Sequence, residues 1–219
     1  YIIFADMVLP VSKIYFISLK TTLGRRSAFM QYIKEIDLKD RYGREPEWHP
    51  ANNGQSFPQS INTKGRKTDL HRSEIGCYAS HLEVWSKFIE TGLETVLILE
   101  DDAVFKPSAL SKFLAFDQIP EWDFINFSLN SFSGTKIEKT LVNADLQLYS
   151  GFGFWLTHAY CLTNKSAQFL VERMKVQTGG LDWQLAQVQS EMKSFAFLDN
   201  PIIQKKPKSL GSTIKHTRI

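Results

Sequence analysis

Runs of apolar residues mark the strands that this sequence predicts. Lys13 to Leu19 is rich in β-branched and aromatic residues and ends in a polar stretch, which is typical of a buried first strand. Thr95 to Leu99 is apolar or β-branched throughout, as expected for a central parallel strand that is covered on both faces. Three shorter extended segments are predicted at Phe124 to Phe127, Ala159 to Leu162 and Pro201 to Gln204.

Apolar residues at helical spacing predict helices between these strands. The first helix is expected at Ser27 to Ile36, after a basic loop, and a second helix is expected to be capped by Ser73 and to end at Gly92. Two further helices are predicted at Ser166 to Met174 and Leu181 to Met192. This order of elements predicts an α/β fold with a mixed, mostly parallel central sheet flanked by helices.

Two stretches lie outside this pattern. Residues 42–68 are rich in Gly, Pro, Asn, Gln and Lys, so we predict no long element there. A mobile flap over a site and a disordered surface insertion are both open interpretations. Residues 205–219 form a basic tail, and three roles remain open for it: holding a diphosphate, lying against anionic lipid head groups, or being a solvated end.

Length and composition narrow the class of protein. The 219 residues predict a single domain spanning 1–219, and a hydrophobic fraction of 43% is enough to build a core. The 26 basic and 23 acidic side chains give a net charge of +3, which does not favour a nucleic-acid partner. The two cysteines, Cys77 and Cys161, have apolar neighbours and predict a reducing compartment. No targeting segment is recognised, so we expect a cytoplasmic protein.

Three adjacent carboxylates, Glu100, Asp101 and Asp102, follow the predicted central strand. Their repulsion and desolvation favour a bound divalent cation, and ligands of open α/β sheets bind beyond the carboxyl ends of strands. If the strand alternation continues, Glu100 and Asp102 share one side and Asp101 points toward a backbone amide or a ribose. The pattern therefore indicates a Mg²⁺ or Mn²⁺ site that holds a nucleotide diphosphate, and the alternative is a solvated acidic turn.

Two segments carry a resemblance to a known family. Glu74 to His81 (EIGCYASH) and Val96 to Phe105 (VLILEDDAVF) closely resemble glycosyltransferase family 25, which comprises bacterial lipopolysaccharide or lipooligosaccharide galactosyltransferases and is similar to the collagen galactosyltransferases. The resemblance extends to the first strand with its following arginines, to Gly153 to Ala167, and to Asp182. It covers nearly the whole chain except residues 42–68 and the far termini.

The resemblance implies a GT-A-like domain that uses a UDP-sugar donor, usually UDP-galactose, together with Mn²⁺ or Mg²⁺. It further implies an inverting transfer to a sugar hydroxyl of an oligosaccharide or lipid-linked acceptor, by a protein that is cytoplasmic or peripheral at the inner face of the inner membrane. The acidic triplet takes the place of the family's Asp-x-Asp motif. The first position is Glu here, which leaves open whether Glu100 or only Asp102 contacts the metal.

The same resemblance implies roles for individual residues. Asp102, together with Glu100, is expected to bind the metal, and Asp101 or Glu100 is expected to contact the ribose. The other donor-binding residues expected are Leu19, Arg25, Arg26, Ser80 and His81. A solvated basic turn is the alternative for the arginines, and a hydrogen-bonded core residue is the alternative for the histidine.

An inverting transfer also needs a general base to remove the acceptor proton. Asp182 is the expected base, and its alternative is a carboxylate that stabilises the start of a helix. Two other functions are weighed against a transferase. A metal-dependent phosphohydrolase would require a second His and Asp cluster, which the sequence does not show, and a non-catalytic nucleotide-sugar-binding relative would not require the intact acidic triplet.

Overall fold

The computed structural model describes residues 11–38, 44–57, 60–61, 70–129 and 138–205. Its helices are α1 (Leu23–Glu35), α2 (Arg72–Glu90), α3 (Pro107–Leu114), α4 (Asn164–Arg173) and α5 (Leu181–Val188). Its strands are β1 (Lys13–Leu19), β2 (Glu47–Ala51), β3 (Ser60–Ile61), β4 (Leu70–His71), β5 (Thr95–Glu100), β6 (Ala103–Phe105), β7 (Phe124–Asn126), β8 (Glu138–Asn143), β9 (Leu148–Phe152), β10 (Ala159–Thr163), β11 (Ser194–Phe197) and β12 (Ile202–Gln204).

Eight of these strands form one sheet in the order β2-β1-β5-β10-β7-β11-β9-β8. Strand β1 is parallel to both β2 and β5, and β7 is parallel to β11. Strands β10 and β9 are antiparallel to both of their neighbours, so the other six of the eight point the same way. The predicted α/β class, with a mixed and mostly parallel central sheet, is confirmed.

Side chains alternate strictly between two buried clusters along the central strands. On β1, Ile14 and Phe16 pack with α1 and α3, whereas Tyr15 and Ile17 pack with α2, α4 and α5. We call these two sides the α1 face and the α2 face. Because the helices cover both faces, Ile14 to Ile17 of β1 and Val96 to Leu99 of β5 are apolar or aromatic at successive positions, which is why the sequence predicted them as continuous runs.

No long element was predicted in residues 42–68, and the structure adds the five-residue strand β2 at Glu47–Ala51, which the sequence analysis did not select. The strand contains Pro50, whose missing N–H is tolerated because β2 lies at the edge of the sheet and, among the described strands, pairs with β1 alone. Residues 42–43, 58–59 and 62–69 lie outside the described residues, so the flap interpretation stays a prediction. The basic tail also lies outside them except for Lys205.

Two helices begin earlier than the sequence predicted. Helix α1 begins at Leu23 rather than Ser27, so the expected basic loop is in fact its first turn. Helix α2 begins after His71, whose ring nitrogen accepts from the Ser73 N–H while Glu74 accepts from the His71 N–H at 2.8 Å. Histidine therefore takes the capping role that was expected of Ser73.

Several elements were not predicted, among them α3, β6, β11 and the β8–β9 hairpin. Within the described ranges, none of the helices combines the length and the apolar character that spanning a bilayer demands.

Candidate active site

A cavity of about 370 Å³ opens where β1, β2 and β5 end, beside the first half of α2. Six of the residues predicted for the site line it: Leu19, Arg25, Ser80, His81, Glu100 and Asp101. Arg26, Asp102 and Asp182, which are also described, are not part of this lining. The cavity lies at the carboxyl ends of the strands, where the sequence analysis expected a ligand.

Residues 52–55, which the sequence analysis did not select, form one wall of this cavity. The wall packs so closely on α2 that a Cβ on Gly76 would lie 2.8 Å from the Gly54 nitrogen, and a Cβ on Gly54 would lie 2.6 Å from the Arg72 carbonyl oxygen. Ser80 fixes the contact, because its hydroxyl accepts from the Asn52 N–H at 2.8 Å and donates to the Gly76 carbonyl at 2.6 Å. Ser80 thus shapes the cavity wall through backbone contacts.

Glu100 lies on the α2 face, as the alternation of β5 requires. The Thr157 hydroxyl donates to its Oε1 at 2.9 Å, and the Nε2 atom of His81 is 3.6 Å from the same oxygen. Burial acts to raise the pKa of Glu100, but the His81 and His158 imidazoles and the Thr157 hydroxyl lower it below its ordinary value. Sequence reasoning missed Thr157 and His158 because they precede β10 in an irregular segment.

His81 is held in the core and also reaches the cavity. Its ring is 1% exposed and stacks on Tyr160, with the centroids 5.7 Å apart. Its Nδ1 is 2.6 Å from the Tyr160 hydroxyl, which also accepts from the Trp85 indole N–H at 2.8 Å. Among the described residues, Nε2 has no hydrogen-bond partner. The histidine therefore combines a fixed ring with one free nitrogen on the cavity side.

Asp101 lies on the other side of the chain, among residues of the β1 end and α1. The Ser18 hydroxyl donates to its Oδ2 at 2.6 Å, the Arg25 guanidinium donates to its Oδ1, and its own N–H donates to the Ile17 carbonyl at 3.2 Å. Burial raises the pKa of Asp101 despite the opposing effects of Ser18 and Arg25. The chain itself thus supplies a cation for this carboxylate.

Asp102 follows Asp101 in a turn, because β5 ends at Glu100 and the alternation stops there. Its Oδ2 accepts from the Gln204 amide at 3.1 Å and is 3.7 Å from the Arg25 guanidinium. Burial, followed by the charge of Glu100, raises the pKa of Asp102 to about 7. Its Oδ1 is buried without a partner among the described residues. Asp102 thus contacts Gln204 and Arg25 while Glu100 contacts Thr157 and His81, and the charge of Glu100 still acts on Asp102.

Asp182 lies in the first turn of α5, where its Oδ1 accepts from the Trp183 N–H at 2.9 Å. Burial, followed by the charges of Glu100 and Glu74, raises its pKa. The carboxylates of Asp182 and Glu74 each come within 3.4 Å of the point where Gly180 would carry a Cβ. The two carboxylates extend the acidic region next to the cavity.

Arg26 has a different environment from Arg25. Its guanidinium carbon is 4.0 Å from the centroid of the Trp48 ring on β2, and the Trp48 indole N–H donates to the Ser18 carbonyl at 3.1 Å. A stacked guanidinium of this kind helps to hold the edge strand against β1. The structure thus brings Arg25 into the acidic site and places Arg26 against β2.

A family model matches most of this chain. The family model described as Glycosyltransferase family 25 (LPS biosynthesis protein) matches residues 11–183, a range that runs from the residues before β1 to the first turn of α5. The chain belongs to glycosyltransferase family 25, and the family that the sequence predicted is confirmed.

Curated relatives are similar over part of their length. A Glycosyltransferase 25 family member of Aedes aegypti is 28% identical over 183 residues, which are 76% of this chain and 29% of that protein. Procollagen galactosyltransferase 2 of Homo sapiens is 26% identical over 170 residues, 73% of this chain and 27% of that protein. The human protein named Inactive glycosyltransferase 25 family member 3 is 27% identical over 107 residues, 47% of this chain and 18% of its own. The chain spans less than a third of these relatives.

Two solved structures illustrate how distant the structural similarity can be. Mannose-1-phosphate geranyltransferase from Thermus thermophilus has a TM-score of 0.43 and 9% identity over 87% of this chain and 75% of its own. A glycosyltransferase involved in the glycosylation of the major capsid of PBCV-1 has a TM-score of 0.42 and 12% identity over 80% of this chain and 73% of its own. Both TM-scores are below 0.5.

Proposed function

We propose that this chain is a glycosyltransferase that moves a hexose from a UDP-sugar to a sugar hydroxyl, with inversion and with the help of a divalent metal. The observation that carries the proposal is the acidic end of β5, where Glu100 and Asp101 line a cavity of about 370 Å³ in a family 25 chain. This volume falls within the range of small-molecule sites. The relatives named procollagen galactosyltransferases support galactose as the sugar.

The acceptor we propose is a sugar hydroxyl of lipopolysaccharide or lipooligosaccharide. The description of the matching family as an LPS biosynthesis protein supports it. The name of the human relative supports procollagen as the competing acceptor, so both must be offered to the enzyme.

The residues of the acidic site fit a metal ion. The unpartnered Oδ1 of Asp102 and the raised pKa of this carboxyl indicate a buried charge that no side chain of the described part of the chain fully compensates. Mn²⁺ and Mg²⁺ prefer oxygen ligands of this kind, so Asp102, with Glu100, would hold the ion. When bound, the ion would supply a Lewis acid that stabilises the departing diphosphate.

The chain's own residues would do the remaining work. Asp101, oriented by Ser18 and Arg25, presents a fixed carboxylate to a ribose, since two donors already hold its position. Asp182 would take the proton of the acceptor hydroxyl, and its raised pKa makes it a stronger base than an ordinary aspartate.

The metal assignment is tested by calorimetry of UDP binding with and without Mn²⁺. Asp102→Asn should abolish Mn²⁺-dependent UDP binding, whereas Glu121→Gln, which changes an exposed acid that pairs with Lys193, should bind as the unaltered chain does. Unchanged binding in Asp102→Asn would remove the metal assignment.

The reaction is tested by following UDP release from UDP-galactose, UDP-glucose and UDP-N-acetylglucosamine, with truncated lipooligosaccharide or collagen peptide as acceptor. We expect Mn²⁺-dependent release from UDP-galactose only when the oligosaccharide is present. UDP binding without turnover would show a non-catalytic relative, and release of inorganic phosphate would show a phosphohydrolase.

The general base is tested in the same assay. Asp182→Asn should keep UDP affinity and lose transfer by about 100-fold or more, because general-base catalysis contributes at least this much. Retained turnover in this variant would show that the carboxylate only stabilises the start of α5.

A further inference from the structure

Three potential metal ligands of different chemical types converge beside the cavity. The Sγ of Cys77, a ring nitrogen of His81 and a carboxylate oxygen of Glu100 all lie within 4.8 Å of one another. Cys77 and His81 are four residues apart on α2 and so share one face of the helix, and Glu100 ends the strand packed under that face. The proposed transfer reaction gives no role to Cys77.

A second observation points to a ligand at this place. The ring of His81 is only 1% exposed, and its Nε2 has no hydrogen-bond partner in the described part of the chain. It lies 3.6 Å from Glu100 Oε1. Two ligands of a tetrahedral Zn²⁺ ion are about 3.5 Å apart, so these two atoms already have the spacing of a metal-bound pair.

Outer contacts hold the ligands in the required orientation. The Tyr160 hydroxyl is 2.6 Å from His81 Nδ1, and Trp85 donates to that hydroxyl at 2.8 Å. The Thr157 hydroxyl donates to Glu100 at 2.9 Å. Metal-binding histidines and carboxylates in proteins are typically fixed by such neighbours, which leave Nε2 and the carboxylate oxygens directed at the ion.

The local charge also favours a cation. Glu100, Asp182, Asp102 and Glu74 all place negative charge around the Cys77 thiol. A dication among these groups would relieve their mutual repulsion and would bind the thiolate in place of the thiol proton.

We propose that Cys77, His81 and Glu100 form a transition-metal site that prefers Zn²⁺ to Mn²⁺ or Mg²⁺ and keeps a fourth position open toward the cavity. The preference follows from the ligands, because thiolate and imidazole suit Zn²⁺ whereas Mn²⁺ and Mg²⁺ favour oxygen. The site differs from the Mn²⁺ site proposed at Asp102 but shares Glu100 with it, so Zn²⁺ and Mn²⁺ would compete for that carboxylate. This inference goes beyond the proposed function and holds whether or not the chain transfers a sugar.

The test is a Co²⁺ titration of the metal-free 219-residue chain, without nucleotide and with a phosphine reductant. We expect the near-ultraviolet charge-transfer band of a thiolate bound to cobalt, together with the intense visible bands of four-coordinate cobalt. Cys77→Ser should lose the charge-transfer band. Cys161→Ala is the matched control, because Cys161 is a fully buried cysteine of β10, and it should keep the band.

Competition tests the preference. Equimolar Zn²⁺ should bleach the cobalt spectrum, whereas Mn²⁺ in about 100-fold excess should leave most of it. A second variant, Thr157→Val, removes the hydroxyl on Glu100 and should weaken cobalt binding by about 10-fold or more while leaving the thiolate band in place at saturation.

Three results would overturn the proposal: no charge-transfer band in the unaltered chain, a band retained in Cys77→Ser, or Mn²⁺ displacing cobalt as well as Zn²⁺ does. If Cys77→Ser fails to fold, Thr157→Val decides, and unchanged cobalt affinity there overturns the proposal. Because the titration contains no donor, its failure is separate from failure of the UDP-release assay.

Discussion

Glu100 and Asp101 are adjacent in the chain but have opposite kinds of partner. Asp101 accepts a hydrogen bond from the Ser18 hydroxyl and pairs with the Arg25 guanidinium, which offset part of the burial that raises its pKa. Glu100 contacts a neutral hydroxyl from Thr157 and an imidazole from His81. The difference teaches that one acidic triplet forms two environments, one built from the end of β1 and from α1 and one built from α2 and the segment before β10.

The cause of this separation is the pleat of β5 and the place where it ends. Alternation directs Glu100 to the α2 face with Val96 and Ile98, and the turn that follows carries Asp101 and Asp102 toward α1. The three carboxylates should therefore respond differently to pH, substitution and metal.

The largest expected effect is a pH dependence that originates at Asp102. Its pKa is about 7 in the folded chain and about 4 in an unfolded one, so the folded state holds the proton more tightly. Asp102 makes its full contribution to the free energy of unfolding below about pH 4. This contribution is lost as the pH rises to about 7, and the free energy of unfolding falls by about 4 kcal/mol. Denaturant unfolding of the metal-free chain measures it.

Asp102→Asn should remove this part of the pH profile and be the more stable chain above neutral pH. Saturating Mn²⁺ in that pH range should restore stability to the unaltered chain and have little effect on the variant. A profile that is identical in both chains would show that Asp102 ionises as an exposed aspartate does.

The next largest effect is a difference between Asp101→Asn and Glu100→Gln in the free energy of unfolding of the metal-free chain. Asp101→Asn removes the shorter of the two ion pairs of the largely buried Arg25 and leaves it only Asp102 at 3.7 Å, so we expect a loss of about 2 kcal/mol. Glu100→Gln loses the contact with His81 that lowers the pKa of Glu100 but can still accept from Thr157, so we expect a smaller loss of about 1 kcal/mol or less.

Chemical denaturation with a chelator present measures both changes, and Glu121→Gln supplies the exposed control. Equal losses at the two positions would contradict the comparison, because they would mean that the two carboxylates contribute equally to stability through their partners.

The same residues show which parts of the fold and the site can be predicted from the sequence. Strand β5 and the carboxylates after it were predictable, because a strand covered on both faces is an apolar run and its end is where ligands bind. The pairing of Asp101 with Arg25 was not predictable, because the two residues are 76 apart in the chain and Arg25 was expected in a loop.

The cavity wall at residues 52–55 was also not predictable from the sequence. It depends on edge strand β2, whose Pro50 argues against a strand, and on the close packing of Gly54 against α2. Glycine marks such close approaches in many places, and its spacing along the chain does not reveal which backbone it will meet.

The smallest expected effect concerns the surroundings of Glu100, where the Tyr160 hydroxyl contacts His81. Tyr160→Phe removes the hydroxyl that accepts from the buried Trp85 indole and contacts Nδ1 of His81, so two buried polar atoms lose their partner. We expect a loss of about 1.5 kcal/mol in the free energy of unfolding. Because His81 then loses the contact that fixes its ring, Co²⁺ affinity should also fall, whereas UDP affinity in Mn²⁺ should fall less.

The packing control for this variant is Phe124→Leu, which alters the ring stacked against Tyr160 without removing a hydrogen bond. It should lower the free energy of unfolding but leave Co²⁺ affinity close to that of the unaltered chain, because the Tyr160 hydroxyl still contacts His81. Equal cobalt affinities in Tyr160→Phe and the unaltered chain would show that packing alone orients His81.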